Sequence, residues 1–291
     1  MCRLFGMSGG HERIRATFWL LEAPDSLAQE SRRNPDGTGL GYFDEEDQPV
    51  VLKQPLAAYE DQQFAQEAKE VCARTFVAHV RYASGTPITL RNTHPFVLDG
   101  RLFAHNGVIG DLPALERELG SAIGMVGGET DSERYFALIT REAARTGDVG
   151  GAIVSAARWI AEHLPVFALN CVLTTDSELW ALRYPDVHEL HLLERPAGGS
   201  SGARHMDHAS ARGSVRVRSG DLARRAAVII ASEAMDENPG WRALQSGELV
   251  HVGPDLEVTV TRVIDRPPAH QLTLAELEPK AAASQGGSAQ T

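Results

Sequence analysis

Three features are scarce in this chain of 291 residues: cysteine, an excess of basic charge, and long apolar runs. The three cysteines, Cys2, Cys72 and Cys171, show no metal-ligand spacing, so the sequence predicts neither a disulfide framework nor a zinc site. With 28 basic and 39 acidic residues the net charge is −11, which argues against nucleic acid or an anionic membrane as the main partner. No segment resembles a signal peptide, and no run approaches the roughly 18 apolar residues of a membrane span. We therefore expect a cytoplasmic protein.

The remaining composition is that of a globular protein with a proper core, at 43% apolar and 23% charged residues. Period-two patterns predict strands up to residue 109, helical patterns follow over about 130–163, and short strands follow from 167 to 263. This order is typical of an α+β protein rather than of regular βαβ units. We predict one folded domain over 2–265, containing a long mobile Gly/Ser/Arg-rich loop at about 196–220. The tail 266–291 is expected to be largely disordered.

Cys2 directly follows the initiator methionine, which is usually removed when the next side chain is small. Cys2 would then carry a thiol and a free α-amino group on one residue. Because the amine has a pKa of about 7.7–8, it can accept the thiol proton, directly or through water. One residue would supply both nucleophile and base. From this position alone, a chance Met-Cys pair is the alternative.

The pair Asn106-Gly107 can supply an oxyanion hole, because a side-chain amide and a neighbouring backbone N–H can point the same way. A hairpin turn is the alternative for this dipeptide. The predicted strand 76–82 carries Val77, His79 and Arg81 on one face. Arg81 offers a planar fork suited to a carboxylate, and an ordinary surface arginine is its alternative.

Asp131 can hold an ammonium group, or it can stabilise the first turn of a helix that opens at Thr130 with a capping box. An arginine and an aspartate at opposite ends of one substrate suggest an α-amino acid head group. Glutamine fits, since its side-chain amide would then reach Cys2. The spacings of His79, His94 and His105 match no usual zinc pattern, so we favour structural hydrogen bonding for them and predict no metal.

Four downstream segments together with Cys2 resemble the class II glutamine amidotransferases, which are N-terminal-nucleophile hydrolases. The segments are His79–Ser84, Thr93–Phe96, His105–Gly107 and Glu129–Asp131, in the family's order and at about its spacing. The short, stand-alone members that begin Met-Cys-Arg look most similar. The resemblance implies a four-layer αββα sandwich, with two antiparallel sheets facing each other between helical layers, and no cofactor.

The resemblance also implies a role for each matching position. Cys2 would be the nucleophile and its amine the base, and Asn106 with Gly107 would form the oxyanion hole. Arg81, helped by backbone around Ser84, would hold the glutamine carboxylate. His94 and Gly107 would shape the pocket. Asp131 would bind the α-ammonium group.

Two departures from the synthase members are visible. The segment Asn34–Thr38 stands where they carry Arg-Gly-x-Asp-Ser, so no catalytic role is transferred to it. Tyr82 replaces their tryptophan, which puts in doubt how the glutamine pocket closes.

The sequence is expected to leave no room for a synthase domain, so three outcomes of the reaction stay open. Ammonia passes to a separate partner subunit, or water hydrolyses glutamine. In the third outcome, the substrate is a substituted γ-glutamyl compound of the ergothioneine or glutathione pathways.

Two other classes stay open: an N-terminal-cysteine amidase of the bile-salt or penicillin-V kind, and a non-catalytic subunit. The expected binding partner is glutamine or a γ-glutamyl small molecule. A homo-oligomeric state is also possible.

Overall fold

A computed structural model describes residues 2–83, 85–197, 206–209, 216–219 and 225–285. The strands are β1 Arg3–Ser8, β2 Thr38–Phe43, β3 Pro49–Gln54, β4 Thr75–Val80, β5 Phe96–Leu98, β6 Arg101–Ile109, β7 Pro165–Thr174, β8 Leu179–Arg183, β9 His191–Arg195, β10 Met206–Ala209, β11 Arg216–Ser219, β12 Ala227–Ala231, β13 Arg242–Ala243, β14 Glu248–Val252, β15 Val258–Arg262 and β16 His270–Gln271. The α-helices are α1 Leu27–Glu30, α2 Gln62–Glu70, α3 Leu112–Leu119, α4 Asp131–Thr146, α5 Val149–His163 and α6 Pro279–Gln285. Short helical turns cover Phe18–Glu22, Leu90–Asn92, Gly120–Met125 and Leu274–Glu276.

Two large sheets form the centre of the protein. The first has the order β13-β9-β12-β1-β4-β2-β3 and is antiparallel throughout. The second has the order β15-β14-β8-β7-β6-β5 and is also antiparallel, except that β16 pairs in parallel with β7. The two sheets face each other, because apolar residues from both form a single core cluster.

Helices cover the outer face of each sheet. One outer core joins the first sheet to α1, α2 and the turn Phe18–Glu22, and the other joins the second sheet to α3, α4 and α5. Two helix–sheet cores and one sheet–sheet core make four layers in the order αββα, which confirms the predicted fold class.

Side-chain alternation along the strands decides which residues reach the space between the sheets. In β1, Phe5 and Met7 pack against helices, whereas Leu4 packs between the sheets. Val77 of β4 and Leu102 of β6 also belong to the layer between the sheets. Residues an even number of positions from Leu4, Val77 or Leu102 along the same strand therefore also face the layer between the sheets.

Polar residues occupy this inner layer at one end of the sandwich. Cys2 precedes Leu4 by two positions, and Leu4 pairs with His79 across β1 and β4. Continuing that register brings Cys2 towards Arg81, and Asn106 projects from the inner face of β6. The strand pattern thus collects the candidate site residues where the apolar inner layer ends.

The remaining cysteines occupy different environments. Cys171 is fully buried in the core between the second sheet and its helices. Cys72 lies two residues beyond the end of α2 and is half-buried.

The prediction of a largely disordered tail over 266–291 is wrong for the part up to residue 285. β16 pairs with β7, and the Gln271 side chain donates to two β7 carbonyls at 3.1 Å. In α6, Ala281, Ser284 and Gln285 are buried. The prediction rested on a composition rich in small and polar residues. Contacts with the rest of the fold order this part of the tail, and composition does not reveal such contacts.

The predicted loop over 196–220 also needs a correction. β10 and β11 lie within that range and form an antiparallel pair. The other positions from 198 to 224 lie outside the described residues.

Across the described part of the chain, every helix is too short or too polar to cross a membrane.

The layer between the sheets should carry much of the stability. Ile230 is fully buried there, so Ile230→Ala removes buried methyl groups and leaves a cavity. We expect the free energy of unfolding to fall by about 2–5 kcal/mol, measured by urea denaturation. The same change at Ile123, which is 37% exposed, should cost less than about 1 kcal/mol. Equal losses in the two variants would contradict the assignment of this layer as a core.

Candidate active site

A small cavity of about 40 Å³ lies at the polar end of the inner layer. Its lining includes five of the residues predicted from the sequence: Cys2, Arg81, His94, Gly107 and Asp131. Asn106 lies beside the cavity and contacts Cys2 directly. Ser84, which was also predicted, lies outside the described residues.

The Cys2 thiol is buried, with 8% of the residue exposed, and it is held by the backbone of Tyr82. The Tyr82 N–H donates to Sγ at 3.1 Å, and the thiol donates to the Tyr82 carbonyl oxygen at 3.5 Å. Burial raises the pKa of the Cys2 thiol, and the Tyr82 N–H opposes this shift. The thiol is therefore neutral at rest and needs a base in order to react as a nucleophile.

Asn106 joins the two sheets at the cavity. Its side-chain Nδ2 donates to the carbonyl oxygen of Cys2 at 3.1 Å. Asn106 and Gly107 lie inside β6, opposite Asn170 and Leu169 of β7, so the hairpin-turn alternative is wrong.

Glycine at position 107 is required by close packing within the sheet. A Cβ atom there would lie 1.8 Å from the carbonyl oxygen of Ala168. Any side chain at Gly107 would therefore push β6 and β7 apart next to Asn106.

Arg81 is a buried residue, so the surface-arginine alternative is wrong. It is 4% exposed, and its guanidinium donates to the Pro87 carbonyl at 3.2 Å and to Thr86 Oγ1 at 2.5 Å. Burial lowers the pKa of Arg81, and the nearby Cys2, Asp36 and Asp131 act in the opposite direction. The guanidinium is thus a fixed positive group at a cavity from which most water is excluded.

Asp131 is the first residue of α4, and backbone groups hold its carboxylate. Oδ2 accepts from the Ile109 N–H at 2.9 Å, and Oδ1 accepts from the Ser132 N–H at 2.8 Å. Thr130 caps the helix by accepting from the Glu133 N–H at 3.2 Å. Asp131 therefore begins the helix and also lines the cavity, while its binding of an ammonium group stays a prediction.

His79 and His94 form a buried pair, with ring centroids 4.3 Å apart. Burial, followed by the charge of Arg81, lowers the pKa of His79 to about 3, and burial also lowers the pKa of His94 well below its usual value. Neither ring has a hydrogen-bond partner among the described residues, so structural hydrogen bonding does not account for them. Both rings are neutral and act as flat packing groups beside Cys2.

His105 does make the structural hydrogen bonds expected of it. Its Nε2–H donates to the Ala168 carbonyl at 3.1 Å, and Nδ1 accepts from Ser132 Oγ at 2.9 Å. His105 thereby ties β6 to both β7 and the start of α4. The described residues contain no cluster of three or more His, Cys, Asp or Glu that could hold a metal ion.

Sequence reasoning missed several residues around this cavity. Asp36, in the segment to which no role was transferred, accepts from the Ala83 N–H at 2.8 Å and so fixes the chain after Arg81. Arg3 is paired with Glu30 at 3.1 Å and with Glu233 at 2.5 Å, which anchors the residue next to Cys2. The segment Asn34–Thr38, which contains Asp36, already stands out in the sequence, whereas Glu30 and Glu233 show no pattern that links them to Arg3.

Comparison with known proteins places the chain in a family. The family model of the class II glutamine amidotransferases matches residues 1–273. The chain belongs to the class II glutamine amidotransferase family. Among the family's curated relatives, it is 28% identical over 229 residues to the gamma-glutamyl-hercynylcysteine sulfoxide hydrolase of Mycolicibacterium smegmatis, covering 78% of this chain and 82% of that protein. It is 30% identical over 159 residues to the "Probable glutamine amidotransferase DUG3" of Saccharomyces cerevisiae, and this match covers 47% of this chain but only 44% of the yeast protein.

Solved structures of class II amidotransferases have the same fold. The glutamine phosphoribosylpyrophosphate amidotransferase of B. subtilis superposes with a TM-score of 0.60 at 21% identity, covering 91% of this chain and 50% of that one. A class II domain protein from Silicibacter pomeroyi gives a TM-score of 0.58 at 18% identity, covering 90% and 99%. At these identities the likeness concerns the fold alone.

The buried histidine pair should make the protein sensitive to acid. The folded-state pKa of His79 is lowered to about 3, so the unfolded chain binds this proton more tightly and folding stability is lost as the pH falls from about 6.5 towards 3. We expect His79→Gln to reduce the slope of unfolding free energy against pH by up to about 1.4 kcal/mol per pH unit in this window.

Urea denaturation at a series of pH values measures that slope. Phe64→Leu is the control, because Phe64 is buried in the core between the first sheet and its helices and does not titrate. It should change stability by the same amount at every pH. An unchanged slope in His79→Gln would contradict the prediction.

Proposed function

We propose that the protein is an amidohydrolase in which the Cys2 thiol attacks the side-chain amide of glutamine or of a γ-glutamyl compound. The observation that carries this proposal is the meeting of a thiol, a guanidinium and a carboxylate at one small cavity, from Cys2, Arg81 and Asp131. The membership in the glutamine amidotransferase family supports the same reaction class.

The base is the α-amino group of Cys2, set free by removal of Met1. This amine takes the thiol proton as Sγ bonds to the amide carbon, and the carbonyl oxygen becomes an oxyanion. The amine then returns the proton to the departing nitrogen, and the carbon–nitrogen bond breaks. Ammonia or an amine leaves, and water hydrolyses the γ-glutamyl thioester to release glutamate and regenerate the thiol.

Asn106 and Gly107 are assigned to the oxyanion. The Asn106 amide nitrogen carries two protons and uses one on the carbonyl of Cys2, so the other can face the oxyanion. The Gly107 N–H is the second proposed donor. Removing one donor of this type typically costs about 2.7–4 kcal/mol in transition-state stabilisation.

Arg81 and Asp131 are assigned to the amino-acid head group. Arg81 binds the α-carboxylate, with the backbone around Ser84 as a further proposed contact, and Asp131 binds the α-ammonium group. His94 packs beside Cys2 as a neutral wall of the pocket. A zwitterion matches the two opposite charges, whereas the larger part of a bile-salt conjugate offers no ammonium group for Asp131. This difference favours an amino-acid substrate over the bile-salt or penicillin-V class.

A substituted γ-glutamyl amide is the second candidate substrate. The similarity to the hydrolase of Mycolicibacterium smegmatis extends over 78% of this chain and favours it. Both substrates share the head group and the scissile acyl group, so the same residues serve either one. Transfer of ammonia to a separate subunit, a homo-oligomeric state and a cytoplasmic location remain predictions from the sequence.

A glutamine analogue bearing a diazoketone should label the protein once, on Cys2. We expect Cys2→Ala to abolish both labelling and glutamine hydrolysis without unfolding the protein, because the nucleophile is lost while a small side chain remains. Intact-mass measurement and ammonia release give the two readouts. Cys72→Ala, at a half-buried cysteine outside the cavity, is the matched control and should keep both activities. Hydrolysis by Cys2→Ala would refute the mechanism, whereas failure of the wild-type protein to react would favour a non-catalytic subunit.

Arg81→Lys should mainly weaken substrate capture, because lysine retains the charge but loses the two-pronged geometry. We expect KM to rise about 10- to 100-fold, as for the loss of one charged hydrogen bond, with a smaller change in kcat. Initial rates on glutamine and on a panel of γ-glutamyl amides measure this effect and rank the substrates. Arg145→Lys, at a side chain 68% exposed on α4, is the control. A fall in kcat at constant KM would show that Arg81 does not hold the head group.

A further inference from the structure

The short helix α6 ends at the cavity that contains Cys2. Its last residue, Gln285, is 4% exposed and lines that cavity together with Cys2, Arg81 and Asp131. The proposed reaction gives Gln285 no role. A carboxamide side chain of the protein itself therefore lies where a carboxamide substrate should bind.

Hydrogen bonds hold both ends of this carboxamide. The Gln285 Oε1 accepts from His188 Nε2–H at 2.6 Å, and its Nε2 donates to Ser284 Oγ at 3.1 Å. Ser284 in turn donates to the Ala281 carbonyl at 2.8 Å. Burial lowers the pKa of His188 to about 4, so at neutral pH its ring is uncharged and can donate a single N–H. These bonds hold the Gln285 carboxamide in place at the cavity.

The space that remains is too small for an amino acid. The cavity has about 40 Å³, whereas small-molecule pockets typically have about 300–1,000 Å³. Glutamine cannot enter beside Gln285. Some part of the lining must move before substrate binds, and α6 is a weakly held part of it.

The hold on α6 is weak for three reasons. It has seven residues, too few for a helix to be stable by itself. Its buried side chains, from Ala281, Ser284 and Gln285, include little apolar surface, so burial contributes little free energy. Within the described residues, the side-chain hydrogen bond that ties α6 to the rest of the fold is the one from His188 to Gln285. Elements of this kind open at low free-energy cost.

We propose that Pro279–Gln285 is a built-in inhibitory segment, which closes the Cys2 cavity with the Gln285 side chain and must leave before a substrate binds. The hydrogen bond from His188 to Gln285 holds the segment in the closed position. The proposal concerns access to Cys2 and stands apart from the nature of the substrate.

Alkylation of Cys2 by iodoacetamide measures that access without requiring catalysis. The rate of Cys2 modification is followed by peptide mass mapping in the full chain, in Gln285→Ala and in a chain ending at Glu278. We expect both changes to accelerate the reaction about tenfold or more, the ratio that corresponds to about 1.4 kcal/mol of lost closing free energy. Lys280→Ala, an exposed position on the same helix, should leave the rate unchanged.

Cys72 is an internal reference in each sample, because it lies outside the cavity and its rate should stay constant. A rise at Cys72 and Cys171 together would indicate unfolding of the shortened chain, and Gln285→Ala alone then decides. Equal or slower Cys2 rates in Gln285→Ala would overturn the proposal and make α6 a permanent wall. Faster alkylation without hydrolysis of glutamine or of any γ-glutamyl amide in the panel would support the inhibitory segment and refute the proposed function, so the two failures are distinguishable.

Discussion

The hydrogen bond from Asn106 to the carbonyl of Cys2 ties the two sheets together at the candidate site. Cys2 leads into β1 of the first sheet, and Asn106 belongs to β6 of the second, so this contact fixes the spacing of the sheets where apolar packing ends. The close approach of Gly107 to Ala168 fixes β6 against β7 at the same level. The distance between a thiol on one sheet and amide donors on the other is therefore set by the sandwich itself rather than by a loop.

Burial gives the cavity its electrostatic character. Two neutral histidine rings and a neutral thiol surround one cation and one anion, Arg81 and Asp131, whose charges are held by backbone and hydroxyl groups. Charges removed from water interact strongly with a ligand of matching charge and are costly when left without one. A zwitterionic head group satisfies both at once. This arrangement selects by charge at one end of the substrate and leaves the amide end to Cys2.

The sequence predicted those parts of the structure that follow from strand alternation and short motifs. The two faces of β4 could be assigned because side chains alternate along a strand, and this alternation placed His79 and Arg81 together on one face. Contacts between distant segments could not be assigned in this way. The pairing of Arg3 with Glu233 and of His188 with Gln285 joins positions far apart in the chain, and no local pattern records it.

The helix α6 shows why composition misleads at such places. An Ala/Ser/Gln-rich segment lacks the apolar surface to fold alone, and the tail was predicted to be disordered on that ground. The same composition suits an inhibitory segment that must leave its site. Small side chains fit a narrow entrance, and exposing them to water costs little hydrophobic free energy. A neutral carboxamide completes the match, since it can bond to the neutral ring of His188 without placing a new charge beside Arg81 and Asp131. Weak intrinsic order and specific docking are thus compatible properties of one segment.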